Sequence, residues 1–276
     1  MARRRRLSKR KSRNGAAGHP DDGLLGLVLL PHPYVPEAES VVSAFRKYAL
    51  GDEALRVWRE AGEPSGQSGH VFTVTTGEIV TVFLLPARVP DPDTEEHMRF
   101  SCGRYQDDWK RPEYRAYLVV WFDSHPGTPR WLVMSRFIAV VAAVMETSRA
   151  TGVYWLGARA THTANYFLRT ASEHSVAANA TLWSGFACTA EDDGQFGFLS
   201  LGMSQLDMPD VLVMVRESSD SDALTFLYDI IHFLARRGKP FDDGDVFVDD
   251  DEREFPIRYV PSPLQPKKLV ARFVLP

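Results

Sequence analysis

The chain has 276 residues, 44% hydrophobic and 25% charged, which suits a globular protein of one large domain or two small ones and removes any need for disulfides or metals to complete a core. Its two cysteines, Cys102 and Cys188, form no CxxC pair, which excludes a zinc ribbon or a thioredoxin-type centre. The formal charge of −4 hides a split: residues 1–14 carry eight cations and no acid, so the remainder holds 24 basic against 36 acidic residues, or −12.

Those cations are Arg3, Arg4, Arg5, Arg6, Lys9, Arg10, Lys11 and Arg13. With RNGAAGHPDD behind them, residues 1–22 have little apolar surface to bury and read as a disordered basic tail. Such a tail binds nucleic acid or anionic lipid through charge alone, with strong salt dependence; the commoner role of a charge run is simply to be solvated. The acidic body argues against a nucleic-acid-binding face on the domain itself. The longest apolar runs (24–31, 132–145 and 211–215) fall short of the roughly 18–20 residues that span a bilayer. No apolar segment follows the basic start as a secretory signal requires. The expectation is a cytoplasmic protein with two buried, reduced thiols.

The folded part opens with a strand at 24–30, broken by PHPYVP, and a helix from Pro36 to about Leu50. Residues 61–69 read as a loop. Strands at 71–75 and 79–85 form a hairpin around Thr76-Gly77-Glu78. YLVVWF at 117–122 has the continuous apolar character of a central strand. Thr128 and Pro129 then start a helix over 131–149 with Gly152 beyond its end. A short strand at 153–156 and a short helix at 162–170 follow.

In the last third, strands at 182–189 and 196–202 flank the turn EDDG. A strand at 211–215, a helix at 223–237 stopped by Gly238 and Pro240, and strands near 245–248, 258–260 and 269–274 complete the chain. Strands and helices mix without βαβα alternation, so the fold class is α+β, a mostly antiparallel sheet backed by helices. Two packed ferredoxin-like halves of split βαβ type are the favoured arrangement, dividing the chain into the tail, 23–176 and 177–276.

Chemistry-bearing motifs are sparse. There is no phosphate loop, no GxGxxG after a strand and no HExxH. DDGDVFVDDDERE at 242–254 has acids, but its glycine stands third where a calcium loop needs it sixth, so a solvated turn is the better account. No metal and no cofactor are expected. Ser184 in LWSGF lacks the GxSxG flanks of a nucleophile elbow, and Cys102 with His97 is a local pair only. His162, Thr163 and Asn165, just beyond the strand VYWL, gather hydrogen-bonding groups at a helix start, the candidate site of a hydrolase-like enzyme; the plainer account makes them capping and first-turn residues. Trp109, with Tyr105 in the same charged stretch RYQDDWKRPEYR, is the candidate anchor for a protein partner.

The C-terminal motifs resemble those of the domain-of-unknown-function 4261 family of bacterial proteins. The residues that carry the likeness are Leu182-Trp183 with Phe186, then Gly194, Gly197, Leu199, Gly202 and Met203, and finally Asp243-Gly244-Asp245. Val246-Phe247 stand where that family has Thr-Ile. The resemblance covers about 181–262 and implies neither an activity nor catalytic residues. The leading expectation is a non-enzymatic protein-binding or accessory module, immunity- or defence-associated, whose acidic surface masks a basic partner such as a nuclease toxin.

Overall fold

The computed structural model describes residues 23–61, 68–90, 93–105, 109–124, 127–190, 195–215, 220–249 and 251–275. The basic tail and the EDDG turn lie outside the described residues. β1 (Gly23–Leu30), β2 (Leu55–Ala61), β3 (Gly69–Val74), β4 (Ile79–Leu85), β5 (Ala116–Asp123), β6 (Gly152–Trp155) and β7 (Ala160–Thr163) form a seven-stranded sheet. Its order is β2-β3-β4-β5-β1-β6-β7, with every pair antiparallel.

The later strands are β8 (Gly185–Ala190), β9 (Phe196–Leu201), β10 (Val211–Val215), β11 (Val246–Val248), β12 (Glu254–Pro256), β13 (Arg258–Pro261) and β14 (Leu269–Leu275). Five of them form a second sheet in the order β13-β14-β10-β9-β8, and β11 pairs with β12 as a separate hairpin. The helices are α1 (Ala38–Phe45), α2 (Asp93–Glu96), α3 (Arg130–Ser148), α4 (Ala164–Ala171), α5 (Val176–Trp183) and α6 (Asp220–Arg237).

This is the expected α+β class with antiparallel-rich sheets. The two ferredoxin-like halves are not its internal arrangement. A split βαβ unit has a strand between its two parallel strands, whereas β10 and β14, the parallel pair of the second sheet, are direct neighbours. The two sheets also differ in strand number and order.

α3 holds the molecule together. Its side chains from Val133 to Met145 are all buried, so it is apolar all round instead of amphipathic, the pattern of a helix enclosed on every side. It packs on α1, α4, α5, α6 and β1, and one cluster of buried side chains runs from Leu24 on β1 to Leu275 on β14. At 19 residues α3 has the length and composition of a membrane span; 78% of that stretch is buried inside the protein. Arg136 is its one buried charge. Its guanidinium meets Glu53, 2.7 Å away, and Glu78, which also accepts from the Thr76 hydroxyl.

Several local expectations need correction. β2 replaces an unassigned stretch: its residues pair with β3 around a bulge at Val57/Arg59, and tertiary pairing decides where local propensity does not. α3 ends at Arg149, which adopts the left-handed conformation (φ 53) in place of Gly152. Gly152 instead starts β6, where an added Cβ would stand 2.6 Å from the His162 carbonyl oxygen. Leu182 and Trp183 close α5, which the Ser175 hydroxyl caps by accepting the Ala178 N–H. The strand starts only at Gly185, where a Cβ would collide with the Ala158 carbonyl oxygen at 2.6 Å. Both cysteines are free, but Cys188 is exposed on β8 and Cys102 half-buried.

Candidate functional site

His162 lies on β7, not in a helix. The ladder with β6 takes up 160–163, and α4 begins at Ala164 with the Thr163 hydroxyl accepting the Tyr166 N–H. The His162 ring is fully buried and both nitrogens are satisfied. Leu182 offers only a carbonyl oxygen, 3.1 Å from Nε2, so Nε2 carries the proton; Nδ1 then accepts from the Ser101 hydroxyl at 2.7 Å. The Gly103 N–H donates in turn to the Ser101 oxygen.

Ser101 was not visible as a partner of His162 because the two are distant in sequence and no motif joins them. Together they have the polarity of a nucleophile and its base. Ser101, however, is as completely buried as the histidine. Burial pushes the His162 imidazole down to about 4, with the Leu182 bond opposing it, so the ring is neutral. The pair fastens the 97–105 segment to β7 and the end of α5. Asn165, on α4, is exposed, whereas His162 is sealed. Cys102 stands beside Tyr166 and Tyr228, with its thiol raised by burial, while His97 bonds the Tyr154 hydroxyl at 2.9 Å. The local Cys–His pair is therefore divided between different neighbours.

Trp109 is half-buried and lines a cleft of about 310 Å³ with Arg99, Arg104, Arg111 and Glu95. Its indole nitrogen is buried with no hydrogen-bond partner among the described residues. The Tyr105 side chain and the cations at 3–13 lie outside the described residues.

A groove of about 700 Å³ lies between α6 and the β11–β12 hairpin. Sequence reasoning missed it, because its walls come from segments that only the fold brings together. On α6, Asp222, Phe226, Asp229 and Phe233 fall at i, i+4, i+7 and i+11, one helical face. Across from them Phe247 approaches Phe226 at 5.9 Å and Phe233 at 5.3 Å between ring centroids. The rim adds Asp249 and Asp251 from the hairpin, with Arg253 held by Asp249 at 2.6 Å. Phe233 is 42% exposed and Val248 53%. Burial and then Arg236 lower the His232 imidazole, which keeps it neutral near pH 7. The lining thus holds four carboxylates against one guanidinium over an aromatic floor.

The acids of DDGD hold a turn. Gly244 takes φ 90, its N–H donates to the Ile257 carbonyl, and Asp243 accepts the Tyr259 N–H at 2.9 Å. Among the described residues, no three His, Cys, Asp or Glu groups stand where they could hold a metal. The glycine strand is braced similarly: the Ser200 hydroxyl accepts the Val211 N–H and Asp210 accepts the Met203 N–H. Burial raises the Asp210 carboxyl.

Residues 199–274 match the model of a family described as a domain of unknown function (DUF4261), the family that the C-terminal motifs resemble. No curated protein and no solved structure matches the chain.

Proposed function

We propose that the protein is a non-enzymatic protein-binding module that captures a basic segment of a partner in the groove between α6 and the β11–β12 hairpin. The carrying observation is that groove itself: four aspartates around exposed phenylalanine, in a body of charge −12. Aromatic side chains in a desolvated floor supply affinity, while a carboxylate rim selects cationic partners and speeds encounter. Sealing of the His162–Ser101 pair favours this reading over a hydrolase. The partner class it suits is a basic protein whose cationic site must be masked, as an immunity or defence factor masks a nuclease toxin.

Fluorescence titration with an arginine-rich peptide bearing one aromatic residue tests it. Binding is expected to weaken steeply with salt and to fall at least about tenfold in Asp222→Lys/Asp229→Lys. Equal affinity of that double variant and the parent would reject the groove. A second reading, nucleic-acid association, rests on the eight cations at 3–13. Deleting residues 1–14 should then abolish the binding of a DNA duplex, and unchanged binding would remove the tail as its cause.

A further inference from the structure

The chain also encloses a cationic cleft, remote in sequence from the groove. Arg88, just beyond β4, and Arg111 and Arg115, on the extended stretch before β5, line a concavity of about 680 Å³ with Glu95, Glu113 and Tyr114. Its volume is within the range of small-molecule sites. Two of these guanidiniums grip one carboxylate: Arg88 takes one oxygen of Glu95 and Arg111 takes the other. The protein thus places its own anion between two cations.

Arg88 and the Glu95 backbone have anchors of their own. The Arg88 guanidinium lies 4.9 Å from the ring centroid of the buried Tyr114. The backbone that presents Glu95 is tied to the first sheet: the Thr161 hydroxyl donates to the Thr94 carbonyl at 2.6 Å, and His97 bonds Tyr154. The Glu95 side chain itself is 38% exposed, and Arg88 and Arg111 are 61% and 56% exposed. A solvent anion can therefore reach both guanidiniums, and Glu95 has room to leave.

We propose that this cleft binds a phosphate-bearing small molecule, with Glu95 as the internal carboxylate that the ligand's phosphate displaces. A carboxylate has two oxygens and both are used. A phosphate offers three terminal oxygens and more charge, so it can hold Arg88 and Arg111 and also engage Arg115, with the planar-fork geometry that makes arginine a phosphate receptor. When Glu95 swings out, three cations face Glu113 alone among the charged groups of the cleft. Arg111 also borders the cleft of Trp109, so the rest of the ligand has an aromatic wall beside its phosphate site.

Competition by Glu95 gives the proposal its sharpest consequence. A site occupied by its own anion binds in proportion to the fraction left open. Removing the competitor must therefore tighten binding, whereas loss of a merely structural ion pair would leave it unchanged. Isothermal titration of the full chain with inorganic pyrophosphate and, separately, adenosine monophosphate reads this directly. Glu95→Gln is expected to bind at least one of the two about tenfold more tightly than the parent, and Arg88→Ala/Arg111→Ala at least about tenfold more weakly. Preference for the nucleotide assigns the Trp109 wall to the organic moiety; preference for pyrophosphate assigns the site to phosphate alone. Equal affinity of Glu95→Gln and the parent would overturn the proposal and place any bound anion on the basic tail. Failure of both probes to bind Glu95→Gln would overturn it too.

Discussion

The interior of the seven-stranded half and the groove of the C-terminal unit treat polar side chains in opposite ways. Inside the first they are buried and matched. Arg136 is 7% exposed between Glu78 and Glu53, His162 is sealed between Ser101 and Leu182, and the Thr161 hydroxyl is spent on the Thr94 carbonyl. Around the groove of the C-terminal unit the charges stand at the rim, as in Arg253 with Asp249 and Asp251, and the space between them stays open. The difference teaches that the same residue types serve as internal struts in one place and as the rim of an open, solvent-filled groove in the other. Access to solvent decides which.

The largest expected effect tests the strut side. Arg136→Ala strands the Glu78 carboxylate in the interior and should cost about 3–5 kcal/mol in urea unfolding. A cost below about 1 kcal/mol would break the comparison, since such a value belongs to a surface pair. His162 comes next. The unfolded chain takes up a proton near pH 6.5 and the folded one only near 4. The stability of the neutral buried ring is thus complete above pH 6.5 and drains away as the pH falls to 4, by roughly 3 kcal/mol. His162→Phe should remove that part of the slope in unfolding measured between pH 7 and pH 4.5; an unaltered slope would deny the burial.

Gly197→Ala probes what holds the other region. An added Cβ would stand 2.6 Å from the Val213 carbonyl oxygen, so overpacking of about 1–3 kcal/mol is expected in the melting of the C-terminal unit. The smallest change in stability belongs to Asp229→Lys. It should move unfolding by less than about 0.5 kcal/mol while weakening the arginine-rich peptide, a separation that sharpens the contrast between strut and surface.

The sequence conveyed the parts whose cause is local. The β3–β4 hairpin stands at Thr76-Gly77-Glu78 because Gly77 supplies φ 104. α6 ends at Gly238 (φ 71) beside Arg236 and Arg237. What stayed hidden depends on partners far along the chain. β2 exists by pairing with β3 across a bulge. Local spacing places His162 in a helix, since its companions Ser101 and Leu182 come from the 97–105 segment and the end of α5. LWSGF read as strand because no local signal reports the approach of the Ala158 carbonyl that only Gly185 permits. The groove joins α6 to a hairpin on the far side of a turn. Its helical half was written in the spacing of 222, 226, 229 and 233; its other half was not.

The parallel pairing of β10 with β14 sets the order in which the molecule can be finished during synthesis. β8, β9 and β10 emerge in succession and can pair at once, but β14 must lie between β10 and β13 and is made roughly 50 residues after β10. At roughly 5–20 residues per second the apolar, uncharged segment VLVMV keeps one bare edge for roughly 3–10 s on the ribosome. A chain halted at residue 262 keeps that edge permanently and is expected in the insoluble fraction, whereas one carrying β14 is not. Slower translation across residues 216–268 is therefore expected to lower the soluble yield.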